Sequence, residues 1–157
     1  MRHRFRNAAA AAAAGWMLAA LGACHAPMEL PAGFVELRDM RGENAGFRAV
    51  TSDDARLWLR DLYEPTDGGV DFWIESLRRD FVEQRGHLVV DAGEVDDHHG
   101  QKGRWLQLRA DSDDGPVGYL VAVWDVGDCV RVVEFAAAQE VFDARVAAVR
   151  KALQSVR

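Results

Sequence analysis

Apolar residues along this chain follow two periods, and the switches between them mark its elements. Residues 34–37, 47–51 and 56–63 carry the period-two alternation of strands, and the last two are separated by Ser52-Asp53-Asp54, whose side chains supply turn hydrogen bonds. Within 56–63, Leu57, Leu59 and Asp61 alternate with Trp58, Arg60 and Leu62, which predicts one buried and one partly wet face. After the breaker cluster 64–69 the period becomes about 3.6. There Trp73, Ile74, Leu77 and Phe81 make one stripe, Arg78, Arg79 and Glu83 the opposite one, and Gly86 stands where a helix would end. Strand character returns in 87–95, 104–110, 117–126 and 129–136, with tight polar turns between the runs, which predicts an antiparallel meander. From Phe142 onward, Val146, Val149, Leu153 and Val156 recur at intervals of four, three, four and three, a one-sided helical stripe suited to lying on a sheet. Arg145, Arg150 and Lys151 are expected on its outer side.

The first residues obey different physics. Arg2, Arg4 and Arg6 precede an apolar run, 8–21, of 14 residues. As a helix this run is about 21 Å long against about 30 Å of membrane hydrocarbon, so it reads as an export signal rather than a spanning anchor. It ends in Leu21-Gly22-Ala23-Cys24, an aliphatic residue, two small residues and a cysteine, which resembles the lipobox of bacterial lipoproteins. The resemblance implies a diacylglyceryl thioether on Cys24, cleavage before it by signal peptidase II, and acylation of the new amino terminus. His25 rather than an aspartate follows, which by the same resemblance implies the outer membrane, facing the periplasm. The expected organisation is a signal peptide (1–23), a tether with lipidated Cys24 (24–32, containing Pro27 and Pro31) and a single domain (33–157).

Charge narrows the partners. Of 19 basic residues three lie in the leader, so 16 face all 25 acidic residues after Cys24, a balance of −9. Such a surface repels phosphate backbones and anionic lipid headgroups, and no basic cluster with interleaved aromatics interrupts it, so no nucleic-acid partner is expected. Cys129 has no second cysteine to pair with once Cys24 is lipidated, and in a Val-rich run it reads as a small buried hydrophobe.

Candidate chemistry is sparse. Asp96-Asp97-His98-His99 offers ligand types, but neighbouring side chains in an extended loop diverge. His98 and His99 are the only metal candidates, a solvated turn being the simpler reading. Asp111, Asp113 and Asp114 begin like a calcium loop, yet the position needing its glutamate is Ala122. No Gly-x-Ser-x-Gly elbow surrounds a serine. Gly68-Gly69 before a helix is opposed as an anion cradle by Asp67 and Asp71. Trp73 and Trp124 are expected in the core and Trp58 and Trp105 partly exposed; on a shared sheet face these two would make an interaction patch.

The expected fold is α+β: an antiparallel sheet of six to seven strands with two helices packed on it. The order, with a hairpin, a helix ending at Gly86, a meander through Val133-Glu134-Phe135 and a closing amphipathic helix, resembles the PsbP-type sandwich over about 33–156. That superfamily includes a photosystem II extrinsic subunit, a Ran-binding import factor and DcrB-type lipoproteins. The resemblance implies a non-catalytic assembly or adaptor role. The expectation is a lipid-anchored envelope lipoprotein, not an enzyme and without a cofactor, that binds an envelope protein. The alternative is a small-ligand or metal-binding lipoprotein with a pocket between helix and sheet.

Overall fold

Residues 27–37, 46–63 and 68–157 are described by the structure, a computed structural model. The leader and Cys24 lie outside the described residues. Seven strands form one antiparallel sheet: β1 (Val35–Glu36), β2 (Phe47–Val50), β3 (Arg56–Leu62), β4 (Leu88–Asp96), β5 (Lys102–Ser112), β6 (Gly115–Asp125) and β7 (Val130–Ala138), in spatial order β1-β2-β3-β7-β6-β5-β4. The four later strands are a meander, and β7 joins it to the β2–β3 hairpin by pairing Trp58 with Glu134 and Leu59 with Val133. Helix α1 (Gly69–Arg79) and helix α2 (Gln139–Leu153) sit on opposite faces. This is the α+β sandwich that the periodicity predicts.

The sheet's pleat sorts the core into two layers. Leu57, Leu59, Leu120, Ala122, Trp124, Val133 and Phe135 point toward α2, where Phe142, Val149 and Leu153 meet them. Leu106, Leu108, Val121, Val123, Val130 and Val132 point the other way, toward Ile74 and Phe81. Strands covered on both faces lose the apolar/polar alternation, which is why 120–124 read as a continuous run of fully buried residues. Space for the large rings comes from glycine. A Cβ on Gly103 would collide with the Trp124 indole, and one on Gly118 with Phe142, whose ring stacks on Phe135 at 5.0 Å.

α1 is amphipathic and charge-sorted, with Asp71 in its first turn and Arg78 and Arg79 in its last. Arg78 donates two hydrogen bonds to Glu75 at 2.7 and 2.8 Å, and this pairing holds the Glu75 carboxyl down at about 2. The helix continues as a π turn, Asp80–Gln84, closed by the Arg85 N–H donating to Asp80, and reverses at Gly86 with φ +69°. The wider turn puts Phe81 into the core, between His87 (5.3 Å) and Tyr119 (4.9 Å).

Two expectations need correction. Residues 27–32 are not a free tether. Met28 is fully buried beneath α2, the Arg157 N–H donates to the Pro27 carbonyl at 2.9 Å, and the Glu29 N–H donates to Ser155 Oγ at 2.8 Å. A single buried methionine between prolines leaves no periodic signal, so the docking is invisible to pattern reading. Arg150, expected outward, instead lays its guanidinium 4.0 Å from the Trp105 ring and bonds Asp91 at 2.8 Å.

Candidate functional site

α1 rests on β5 and β6. Because those strands occupy one side of the sheet, the same face over β1, β2 and β3 carries no helix among the described residues. Register brings Val35, Arg48, Val50, Arg56, Trp58 and Arg60 together there, with Glu134 of β7 beside Trp58. Val35 is 66% exposed, and a cavity of about 460 Å³ opens between Leu37, Arg48, Val50, Asp54, Arg56 and Trp58.

Trp58 is the centre of this face. The Arg48 guanidinium carbon lies 4.5 Å and that of Arg60 4.2 Å from its ring centroid, so two cations use one aromatic quadrupole. Arg60 is tied down by an ion pair to Glu134 at 3.0 Å, and Glu134 also accepts the hydrogen bond of the Tyr119 hydroxyl. Burial and the neighbouring Glu134 carboxylate push the Tyr119 phenol upward, so it stays a neutral donor. Arg56 is held by Asp54 at 3.1 Å. Arg48 differs: among the described residues no carboxylate pairs with it, and its Nε is buried without an acceptor. The Trp58 indole N–H and the Arg60 Nε are likewise buried without one. Among the described residues, this face of an acidic domain thus holds a cation with no carboxylate partner and three donors without an acceptor, beside exposed apolar side chains.

The residues singled out from sequence scatter. Trp105 pairs with Ala122, and through Val133 with Leu59, so it belongs to the α2 layer, opposite Trp58. The shared-face condition for a Trp58–Trp105 patch is therefore not met: Trp58 keeps the open face and Trp105 packs under Arg150. His98 and His99 lie exposed on the β4–β5 turn with ring centroids 5.3 Å apart. Asp97 is buried and accepts the N–H groups of His99 and Gln101, each at 2.8 Å, so the acidic half of that motif shapes the turn. Among the described residues no group of three His, Cys, Asp or Glu side chains is placed to hold a metal. Cys129 is partly buried, and desolvation, reinforced by Asp61, raises its thiol, which leaves it a poor nucleophile. A smaller cavity of about 380 Å³ lies between α1 and the β4–β5 edge, bordered by Ile74, Arg78, Glu94 and Arg104.

Arg48 and Arg60 escaped the sequence reading. Their signal, a cation opposite and a cation two residues after an outward tryptophan, becomes visible only once β2 and β3 are paired in register.

No protein-family model matches the chain, and no curated protein matches it by sequence. Similarity appears at the level of structure. The cyanobacterial PsbP of Synechocystis sp. PCC 6803 superposes with a TM-score of 0.56 at 14% identity, over 86% of this chain and 94% of that one. The Ran-binding protein Mog1p of Saccharomyces cerevisiae gives 0.56 at 14% identity, over 81% and 84%. LpqN of Mycobacterium tuberculosis, a protein involved in cell envelope biogenesis, gives 0.55 at 12% identity, over 81% and 78%. The chain therefore has the PsbP- and Mog1-like α+β fold, a seven-stranded antiparallel sheet between two helices.

Proposed function

We propose that this chain is a lipid-anchored module of the bacterial cell envelope that works without catalysis, holding an envelope protein against the sheet face that carries no helix among the described residues. Cys24 carries the anchor, in the outer membrane, and the domain faces the periplasm. The observation that carries the docking role is the Arg48–Trp58–Arg60 cluster. Arg48 has no carboxylate partner among the described residues and shares the Trp58 ring with Arg60 beside exposed Val35 and Leu37, so this face offers a partner a cation and an aromatic ring in apolar surroundings. Charge complementarity identifies that partner segment. It carries a carboxylate to meet Arg48 and apolar side chains to cover Val35, Val50 and Leu37. Two proteins of this fold, one Ran-binding and one involved in envelope biogenesis, are consistent with such a role.

Chemical cross-linking of intact envelopes followed by affinity capture tests this reading. Wild-type protein is expected to retain a specific protein that the Trp58→Ala and Arg48→Glu variants lose, with the loss reproduced by high salt. Equal recovery from wild type and both folded variants removes the docking role. A small anionic molecule in place of a protein on the purified chain, seen by native mass spectrometry and lost with Arg48→Glu, replaces it with the carrier reading. Labelling with radioactive palmitate tests the anchor: Cys24→Ala is expected to abolish it, and unchanged labelling contradicts it.

A further inference from the structure

The sheet ends in two unequal edges. β1 forms one with two residues, whereas β4 runs for nine along the other, and among the described residues no strand lies outside it. The helices rest elsewhere, α1 on β5 and β6 and α2 on β6 and β7. Leu88 is therefore 65% exposed, Val89 42% and Val90 58%, three consecutive aliphatic side chains in water. An edge strand also presents a row of unpaired backbone N–H and C=O groups, which natural proteins commonly blunt with a lysine or a proline. β4 has neither; its one irregularity is a bulge at Val90, between the pairs Val89–Leu108 and Asp91–Gln107. Past the bulge, 91–96 pair with 102–107 without interruption.

Charge along this edge selects the occupant. The chain as a whole is acidic, yet each carboxylate of β4 meets a cation of its own chain: Asp91 with Arg150 at 2.8 Å, Asp96 with Lys102 at 2.7 Å and Glu94 with Arg104 at 3.6 Å. Together β4, β5 and Arg150 hold four acids and four cations. Such an edge gives no steering to a strongly charged foreign strand and no repulsion to a copy of itself. The order of residues is self-complementary as well. The ladder to β5 puts Val89, Ala92 and Glu94 on the α1 face, and Leu88, Asp91, Gly93 and Val95 on the α2 face. An antiparallel pairing about a two-fold axis at Ala92, with Val90 as the bulged residue, keeps both faces continuous. It sets Leu88 against Val95, Val89 against Glu94 and Asp91 against Gly93 across the axis, so no carboxylate faces its like.

We propose that β4 is a self-association edge: two copies of this chain pair their β4 strands antiparallel around Ala92 and join two seven-stranded sheets into one. The pairing covers the Leu88–Val90 run and gives the outward backbone groups partners. Because the two-fold axis stands perpendicular to the sheet, both Trp58 faces lie on one side of the pair. The inference rests on neither the anchor at Cys24 nor the docking role of Trp58.

Cysteine cross-linking of the full chain in intact cells tests this, with Cys129→Ser in every variant and that chain alone as the blank. Facing residues of an antiparallel pair have Cα atoms about 4.5–5.5 Å apart, within reach of a disulfide. Under mild oxidation Ala92→Cys is expected to give a disulfide-linked species of twice the chain mass, and Glu140→Cys, exposed at the start of α2, none above the blank. Adding Val90→Lys, which places a charge where the side chain is already in water, is expected to cut the Ala92→Cys product several-fold. No product from Ala92→Cys, equal products from both positions, or a product that survives Val90→Lys overturns the proposal. A disulfide to a different protein in place of the double-mass species also overturns it, replacing the second copy by a foreign strand. Hydrogen exchange of the purified chain gives a reading without any added cysteine: amides in 91–96 are expected to exchange several-fold more slowly in the wild type than in Val90→Lys, with β3 unchanged. Equal exchange in 91–96 contradicts the pairing.

Discussion

Trp58 sits where packing and recognition make opposite demands. Its ring organises Arg48 and Arg60, while its buried N–H finds no acceptor. Trp58→Phe removes the unmatched donor and keeps an aromatic face, so the urea midpoint is expected to stay level or rise, by up to about 1 kcal/mol, while capture of the partner weakens. A falling midpoint would mean that the indole is needed for the fold itself. His87 makes a second prediction at this scale. Burial against Phe81 and then the charge of Arg85 lower its pKa from 6.5, so the folded state prefers neutral imidazole. The unfolded chain then binds more protons below pH 6.5. Stability is complete above that value and lost as pH falls through it toward the lowered folded value. Denaturation curves from pH 7.5 to 5 are expected to show this slope for the wild type and a reduced one for His87→Gln. Residues of this kind were only half legible in the sequence. Alternation showed that Trp58 and Trp105 stand on partly wet strand faces, but period two gives the phase within a strand and not between strands. The relation between those two depends on the ladder through β7, β6 and β5, which no local pattern encodes.

Elements were far more legible. The strands, both helices and the meander follow from runs of matching period bounded by Gly, Asp and Pro clusters, because each run buries a face whose spacing the backbone geometry dictates. Two features were not. The π turn at Asp80–Gln84 leaves the apolar stripe of α1 intact and changes only the hydrogen-bond step, so composition does not announce it. The lead 27–31 docks through one side chain and main-chain hydrogen bonds, neither of which has a period. Met28→Ala is expected to lower global stability by about 2–4 kcal/mol if the lead unfolds with the domain, since a buried methionine truncation leaves both lost transfer energy and a cavity. Proteolysis at 27–31 should accelerate at the same time. An unchanged midpoint and unchanged proteolysis would mean that the lead detaches readily from the domain.

At the scale of the whole molecule, the Arg48–Trp58–Arg60 face stands out once the core is accounted for. On the proposed anchoring, chain and partner share one membrane layer, which raises their effective concentration for each other. The address expected at Cys24 rests on local sequence alone, a basic and apolar leader and a run that resembles a lipobox within 1–24. The proposed docking face has no such local signal: among the described residues no helix lies over β1, β2 and β3, and cover is a property of the assembled fold.

A photo-activated cross-linker placed at Val50, on the open face, and separately at Ala144, on the outer side of α2, tests the central claim most directly. In intact cells Val50 is expected to yield one discrete protein adduct that Arg48→Glu eliminates, while Ala144 yields none of it. The same adduct from both positions, or an adduct at Val50 that survives Arg48→Glu, would contradict the assignment of this face as the docking site.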